Sequence, residues 1–356
     1  MSKNHKRESM KAALIKEYGK IVLDNIRKPV PGDNDVLIKV IYASICGSDQ
    51  HILKGEFHPR TKLPLVPGHE FAGIVEFAGR DVKKVSPGDK VTVDPIIWCG
   101  RCAACERGHY PACTSLRILG IDLDGGFAEY VSVPAGMVYK IPSHVSDENA
   151  ALTEILSIGF HASSRAGVSE GDDILIVGSG KVGISILHAV KMMTSGKVII
   201  ADVLDERLKF ARDAFSDIFT VNVRKSDPVQ FVKEITGGRG VDIAFEAVGH
   251  EMPVEGRFNP VRICINAIRG AGKVCVLGLS DHPAELLMKE LIWKEAVIIA
   301  SRVSHGEFAR VIDAFEKGLL HPEKMITAIM PLEEAMKGFG YLENEPHKHL
   351  KILLKI

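Results

Sequence analysis

The chain has 356 residues, enough for two domains with separate cores. It is 46% hydrophobic and 25% charged, with 45 basic and 45 acidic side chains, so its formal net charge is +0. That balance argues against nucleic acid as the main partner, and no apolar run is long enough to span a bilayer.

Residues 1–10 are polar and basic and lack the apolar core of a secretory signal, so a flexible tail on a cytoplasmic protein is expected. Short strands and turns follow. Lys11–Ile15, Val36–Ala43 and Gly73–Phe77 have strand character, and Pro87-Gly88-Asp89 is a turn feeding Lys90–Val93. This pattern predicts a compact β domain. The apolar spacing becomes helical over Asn149–Ala166. Then come the buried-type strand Asp173–Val177, a glycine-rich turn, the helical stretch Gly183–Met193 and the strand Lys197–Ala201. The alternation continues through Val241–Phe245, Lys273–Leu277 and Val297–Ala300, which predicts parallel strands with right-handed crossovers. Helical runs at Ala309–Lys317 and Leu332–Phe339 and a strand at Lys351–Lys355 close the chain.

Four of the seven cysteines, Cys99, Cys102, Cys105 and Cys113, have the spacing C-x2-C-x2-C-x7-C. Four thiolates this close can enclose one Zn²⁺ tetrahedrally and leave no position for chemistry, so this is read as a structural metal lobe. Disulfides are the alternative, but paired cysteines in a chain without a secretory signal more often hold metal or do redox work.

A second set is smaller. Cys46 lies in Cys46-Gly47-Ser48-Asp49-Gln50-His51, and His69 in Pro67-Gly68-His69-Glu70. Open zinc sites take three protein ligands and keep one position for water or substrate. The third ligand is expected to be a carboxylate. Glu70 is adjacent to His69, and Glu154 interrupts an otherwise apolar helical stretch, where an acid needs a partner or a metal. Each residue alone is also compatible with a buried thiol, a core histidine or a surface acid.

Gly178-Ser179-Gly180-Lys181-Val182-Gly183 is G-x-G-x-x-G between a predicted strand and a predicted helix. Gly178 is assigned to the tight turn, Gly180 to the approach of a pyrophosphate and Gly183 to close helix–strand packing. Asp202 ends the next strand about twenty residues on, where a carboxylate can bind the ribose hydroxyls of NAD. Asp205 and Glu206 add negative charge against a 2′-phosphate, whereas Arg207 could either receive one or stack on adenine. Lys181, Val182, Leu277 and Leu279 complete the expected cofactor contacts.

Taken together, these motifs, with Gly125-Gly126-Phe127-Ala128-Glu129-Tyr130, resemble the zinc-containing medium-chain dehydrogenases/reductases over nearly the whole chain. Ala151-Leu152-Thr153-Glu154-Ile155-Leu156-Ser157-Ile158-Gly159-Phe160-His161-Ala162 brings the likeness nearest to the sorbitol (L-iditol) and sugar-acid branch. The resemblance implies a GroES-like β domain over residues 11–156 and 303–356 with both zincs. It also implies a doubly wound Rossmann domain over 157–302 that binds NAD. It implies oxidation of a secondary alcohol of a polyol, sugar or sugar acid, in a homodimer or homotetramer. Cys46, His69 and Glu70 are expected as resting ligands, with Glu154 on the metal or its water. Ser48 would start a proton relay that ends at His51, Arg302 would lie near the substrate, and Lys351 would meet the cofactor phosphates. Two departures stand out. Ile52 follows His51 where animal sorbitol dehydrogenases have tyrosine, and residues 250–260 look like an extra segment. Threonine dehydrogenases tend to carry an aspartate-proline-phenylalanine segment in place of Thr153-Glu154-Ile155-Leu156. Liver-type alcohol dehydrogenases use a second cysteine on the catalytic zinc.

Overall fold

A computed structural model describes residues 8–249 and 256–356. They divide into two units, one running to Glu154 and rejoined by Phe308–Ile356, the other Ile155–Glu307. The crossings therefore fall at 154/155 and 307/308, where 156/157 and 302/303 were expected. The helix Thr153–Ala166 contains the first crossing, so no loop marks it in the sequence.

The first unit is built on a seven-stranded sheet. Its central strand, Asp35–Ser44, pairs antiparallel with Glu70–Ala78, Tyr130–Pro134 and Lys351–Lys355. Lys351–Lys355 also lies parallel to Ile326–Pro331. The last strand of the chain thus completes a sheet begun near its start. Ser44 stands opposite Glu70 in one register and Leu353 in the other, which draws the start of two distant strands to one point. A separate hairpin joins Ser9–Glu17 to Lys20–Arg27. Ser9 and Met10 therefore belong to a strand rather than to the expected tail. Met10 pairs with Ile26 and is only 5% exposed, so an apolar side chain tips the local balance from tail to sheet.

The second unit holds six parallel strands in the spatial order Phe219–Asn222, Val198–Asp202, Ile174–Val177, Val241–Glu246, Ile268–Val276, Val297–Ala300. In chain order this is third, second, first, fourth, fifth, sixth. The order reverses between the first and fourth strands, and ligands of such sheets bind at the carboxyl ends there. Ile174, Leu175, Ile176 and Val177 are all buried, as expected for a strand covered on both faces. The core around it includes Leu175, Val177, Ile199, Ala201, Ala244 and Val274. Phe219–Asn222 was not among the expected strands. It lies at the sheet edge and is only partly buried, so its sequence lacks the apolar run of its neighbours. Of the extra segment 250–260, residues 250–255 lie outside the described residues. Asn259 caps the helix Pro260–Ala267 through the N–H of Arg262 at 2.9 Å. Among the described residues no helix is long and apolar enough to cross a membrane.

Candidate active site

The first unit carries two donor clusters. In one, the ligand atoms of Cys99, Cys102, Cys105 and Cys113 lie within 4.8 Å of one another. A turn of helix, Ala103–Glu106, starts at Cys102 and brings Cys102 Sγ to 3.5 Å from Cys105 Sγ. The backbone N–H groups of Cys99 and Ser115 donate to Cys113 Sγ at 3.3 and 3.4 Å. Backbone N–H donors hold Cys102 down at about 5, while loss of water and the neighbouring sulfurs push Cys105 up to about 12. Thiols so crowded and so unequally protonated fit a cation that would let all four ionise. All seven cysteines of the chain are free.

In the other cluster, the ligand atoms of Cys46, His69 and Glu70 likewise lie within 4.8 Å of one another. The central strand delivers Cys46 just before the helix Gly47–Lys54. His69 follows Gly68, whose φ of 95° is left-handed and where an added Cβ would come within 2.3 Å of the ring of Phe127. That contact explains part of the glycine–phenylalanine motif at residues 125–130. Two buried atoms of the set, His69 Nδ1 and Glu70 Oε1, have no hydrogen-bond partner. A thiol, an imidazole and a carboxylate that leave buried polar atoms unpaired are a donor set that a Zn²⁺ ion would satisfy. Burial alone would lower the pKa of His69, but Cys46, Asp49 and Glu154 outweigh it and raise the imidazole to about 10. The pocket is therefore rich in negative charge and suited to a cation.

Lys351 corrects an expectation. It was placed at the cofactor phosphates, yet it is fully buried, bonded to Glu70 Oε2 and 3.5 Å from the carbonyl oxygen of Ile45. A side chain with no exposed surface does not reach a phosphate at the surface. The pairing of Ser44 with both Glu70 and Leu353 brings this ion pair about. Burial would raise the pKa of Glu70, but Lys351 and His69 overcome it and hold the carboxyl below its usual range. Glu154 goes the other way, with burial pushing it well above the carboxylate range despite the pull of His69. Glu154 lies outside the three-donor set, although it interacts electrostatically with His69, Glu70 and Cys46. The two acids are thus shifted in opposite directions, Glu70 by its bonded ammonium and Glu154 by burial.

Asp49 was named only within a motif, yet it organises the cluster. It is fully buried and accepts the N–H groups of Cys46 at 2.8 Å and Gly68 at 3.3 Å, with His69 Nδ1 3.7 Å away. The signal was available, because an acid three residues into a helix is where a carboxylate reaches back to the cap. Ser48 Oγ lies 3.3 Å from His69 Nε2. His51 is half exposed, and its Nδ1 bonds Glu56.

In the second unit, the glycine turn follows Ile174–Val177 and opens the helix Lys181–Lys191, with Gly180 at the cap and no side-chain cap hydrogen bond there. Gly178 has φ 103°. A Cβ on Gly183 would lie 1.8 Å from the carbonyl oxygen of Gly178, so this position admits only glycine. A Cβ on Gly180 would meet only Arg207 Nη1, at 3.8 Å. Its openness fits the approach of a phosphate to bare backbone. Asp202 accepts the N–H groups of Ser179 at 2.7 Å and Leu204 at 2.9 Å, which aims its carboxylate at the mouth of the turn. Arg207 Nη1 is 4.0 Å from Asp202, and its carbonyl accepts the hydroxyl of Ser179 at 2.9 Å. Lys181 and Val182 are half-buried at the helix start and Leu277 is half-buried, whereas Leu279 is 78% exposed. Arg302 lies exposed beyond the last strand of this sheet.

Two family models match the chain. One describes an alcohol dehydrogenase GroES-like domain, over residues 32–143, and the other a zinc-binding dehydrogenase, over residues 182–317. An L-threonine 3-dehydrogenase of Bacillus velezensis is 33% identical, the match covering 88% of this chain and 90% of that protein. A sorbitol dehydrogenase of Bacillus subtilis is 29% identical, covering 98% of this chain and 97% of that protein. The solved alcohol dehydrogenase rspB of Escherichia coli CFT073, complexed with NADH, superimposes with a TM-score of 0.89 at 31% identity, covering 98% of this chain and 99% of that one. A zinc-binding dehydrogenase of Sinorhizobium meliloti, bound to NADP, superimposes with a TM-score of 0.87 at 29% identity, covering 98% of this chain and 100% of that one.

Proposed function

The chain belongs to the zinc-containing medium-chain dehydrogenase/reductase family, an oxidoreductase with a GroES-like domain and a Rossmann-type sheet, and from that premise we propose that it oxidises a secondary alcohol of a polyol, sugar or sugar acid to a ketone with NAD. The observation that carries this reading is the three-donor set of Cys46, His69 and Glu70, with two of its buried polar atoms unpaired. Such a set would hold one Zn²⁺ with a position left for an alcohol oxygen, and the four cysteines would hold a second. When bound, the metal supplies Lewis acidity to the alcohol oxygen and the nicotinamide accepts the hydride. The residues do the rest. Asp49 orients the Cys46 and His69 segments, and Lys351 keeps Glu70 ionised. Glu154, whose carboxyl burial pushes up, stands beside them as the acid that would contact the metal or its water. Ser48, 3.3 Å from His69 Nε2, starts a proton path that reaches solvent at His51. Arg302 is assigned to substrate contact. Gly180, Lys181 and Val182 receive the pyrophosphate, and Leu277 and Leu279 flank the cofactor.

NAD is favoured because Asp202 is already aimed by two backbone N–H groups and would repel a 2′-phosphate. A homo-oligomer is favoured because the edge strand Val297–Ala300 leaves Val297 49% and Ile298 42% exposed. Nearby in sequence Ile292 and Trp293 are 69% and 77% exposed. Seven free thiols fit a reducing compartment such as the cytoplasm. The test is a panel of sorbitol, xylitol, L-idonate and L-threonine, followed by NADH absorbance on zinc-replete protein whose metal content is measured. Turnover of a polyol or sugar acid with about two zincs per chain is expected. Turnover of L-threonine alone would favour the threonine dehydrogenase reading, which the 33% identical relative keeps in view. No turnover of any of the four with either nucleotide would end the proposal.

A further inference from the structure

The helix Gly47–Lys54 is closed by Gly55, whose φ of 80° is left-handed and whose N–H bonds the carbonyls of His51 and Ile52. The chain therefore doubles back over the last turn. The N–H of Glu56 bonds the carbonyl of His51 at 2.9 Å, and the Glu56 carboxylate reaches the Nδ1 of the same residue. Phe57 then stacks on the His51 ring, with centroids 5.9 Å apart and an interplanar angle of 29°. The turn is itself supported. The ring of Tyr18 lies against Gly55, and Tyr18 Oη is 3.2 Å from His58 Nδ1. The imidazole of His51 is thus held at one ring nitrogen and on one face, while the residue as a whole stays half exposed.

A neutral imidazole has one N–H and one lone pair, and the nitrogen facing a carboxylate carries the proton. A carboxylate on Nδ1 leaves the lone pair on Nε2. We propose that Glu56 is a positioning residue for proton release, fixing His51 as the Nδ1–H tautomer so that Nε2 receives the proton of the oxidised alcohol. This rests on the reading above that His51 ends the proton path. In each turnover the C–H bond gives its electron pair and hydrogen to NAD⁺ as hydride, and the O–H bond gives a proton. That proton forms an N–H bond at Nε2, the resulting imidazolium is stabilised by the Glu56 carboxylate, and water then takes the proton from Nε2. Glu56 remains ionised throughout. The other charged groups around the pair are Lys54, on the same helix, and Glu343 of the helix Ala335–Asn344. Those two bond each other at 2.8 Å, and Lys54 also feels Glu56. His58, on the loop side, is engaged by Tyr18. An exposed ion pair contributes little to stability, so loss of Glu56 should leave the unfolding midpoint unchanged.

The test combines nitrogen NMR with kinetics. In zinc-loaded, ¹⁵N-histidine protein, the signal lost in His51→Asn identifies His51. In the wild type it should be the Nδ1–H form, and in Glu56→Ala the Nε2–H form should become the major one. With the fastest alcohol of the four-compound panel, Glu56→Ala should lower kcat about tenfold with KM near wild type, the lower end of what partner loss costs elsewhere. Glu56→Asp should recover part of the rate and of the Nδ1–H form. A kcat and tautomer unchanged in Glu56→Ala, with His51→Asn impaired, would overturn the proposal and leave the relay standing. An unimpaired His51→Asn would remove the relay and the proposal with it.

Discussion

The two units build their sites from opposite materials. In the first, the site is made of side chains that converge and lack something: a sulfur, an imidazole and a carboxylate with unpaired buried atoms. In the second, it is made of backbone, and the decisive positions are those where a side chain is missing, such as Gly180 and Gly183. The first kind of site fails when an atom is removed and the second when one is added. Within the first unit a finer contrast holds. Four thiolates would close one metal off from chemistry, whereas three mixed donors would leave a position open.

The largest effects should come from separating those two clusters. Cys46→Ser is expected to lower kcat by roughly a thousandfold or more, with the unfolding midpoint and circular dichroism near wild type and one zinc per chain lost. Cys102→Ser should instead cost folding yield and thermal stability, because structural zinc binding is folding energy, on the order of 10–16 kcal/mol in small zinc-folded peptides. Stable, zinc-depleted and inactive Cys102→Ser protein, or unfolded Cys46→Ser protein, would reverse the assignment of roles. Elemental analysis beside a melting curve reads both.

Lys351 offers the next test, because it is the one buried cation bonded to the open cluster among the described residues. Breaking a buried pair by removing one partner costs about 3–5 kcal/mol, since the other charge stays buried and alone. Lys351→Met should therefore lower stability by about that much, measured by urea titration of zinc-stripped protein. Adding Glu70→Gln should return much of the loss, because no charge is then left unpaired. Zinc-loaded Lys351→Met should lose less than the stripped protein if Glu70 is a ligand, because the metal would replace the missing ammonium. Equal losses with and without zinc would take Glu70 off the metal and favour Glu154 as the third donor.

These two tests also mark what the sequence could show. The clustering of the four cysteines and the glycine turn were legible because each lies in one short stretch, where spacing alone constrains geometry. The parallel sheet was legible because strands buried on both faces, such as Ile174–Val177, are continuous apolar runs. Lys351 was misread because its partner lies 281 residues away, and only the shared register of Ser44 with Glu70 and Leu353 joins them. Glu56 was overlooked for a different reason. It is close to His51 in sequence, but its direction depends on the left-handed turn at Gly55. The strand Phe219–Asn222 escaped notice because an edge position does not demand a hydrophobic sequence.

The smallest expected effects concern the backbone-built site, and they can break the claim that it fails by addition. Gly183→Ala would put a methyl 1.8 Å from the carbonyl of Gly178, so the turn itself must move and the protein should lose stability. Gly180→Ala meets only the end of Arg207, at 3.8 Å, and should leave the melting temperature within about a degree. Yet it should weaken NADH, by roughly tenfold in fluorescence titration, because the added methyl occupies the path of the pyrophosphate. Asp202→Ala tests the same site by subtraction. The lost charged hydrogen bonds, about 1.5–3 kcal/mol, should weaken NAD by roughly ten- to a hundredfold. NADP should be weakened less or gain, since a repelling charge has gone. That change of preference distinguishes ribose recognition from a merely structural Asp202. The carboxylate also accepts the N–H groups of Ser179 and Leu204, and a collapse of the glycine turn would weaken both nucleotides alike. Asp202→Asn separates the cases further, because it keeps an acceptor for one N–H while removing the charge. If Asp202→Asn shifts the NADP-to-NAD ratio without lowering the melting temperature, the charge itself selects the cofactor. An unchanged ratio would return Arg207, 4.0 Å from Asp202, as a candidate to receive a 2′-phosphate.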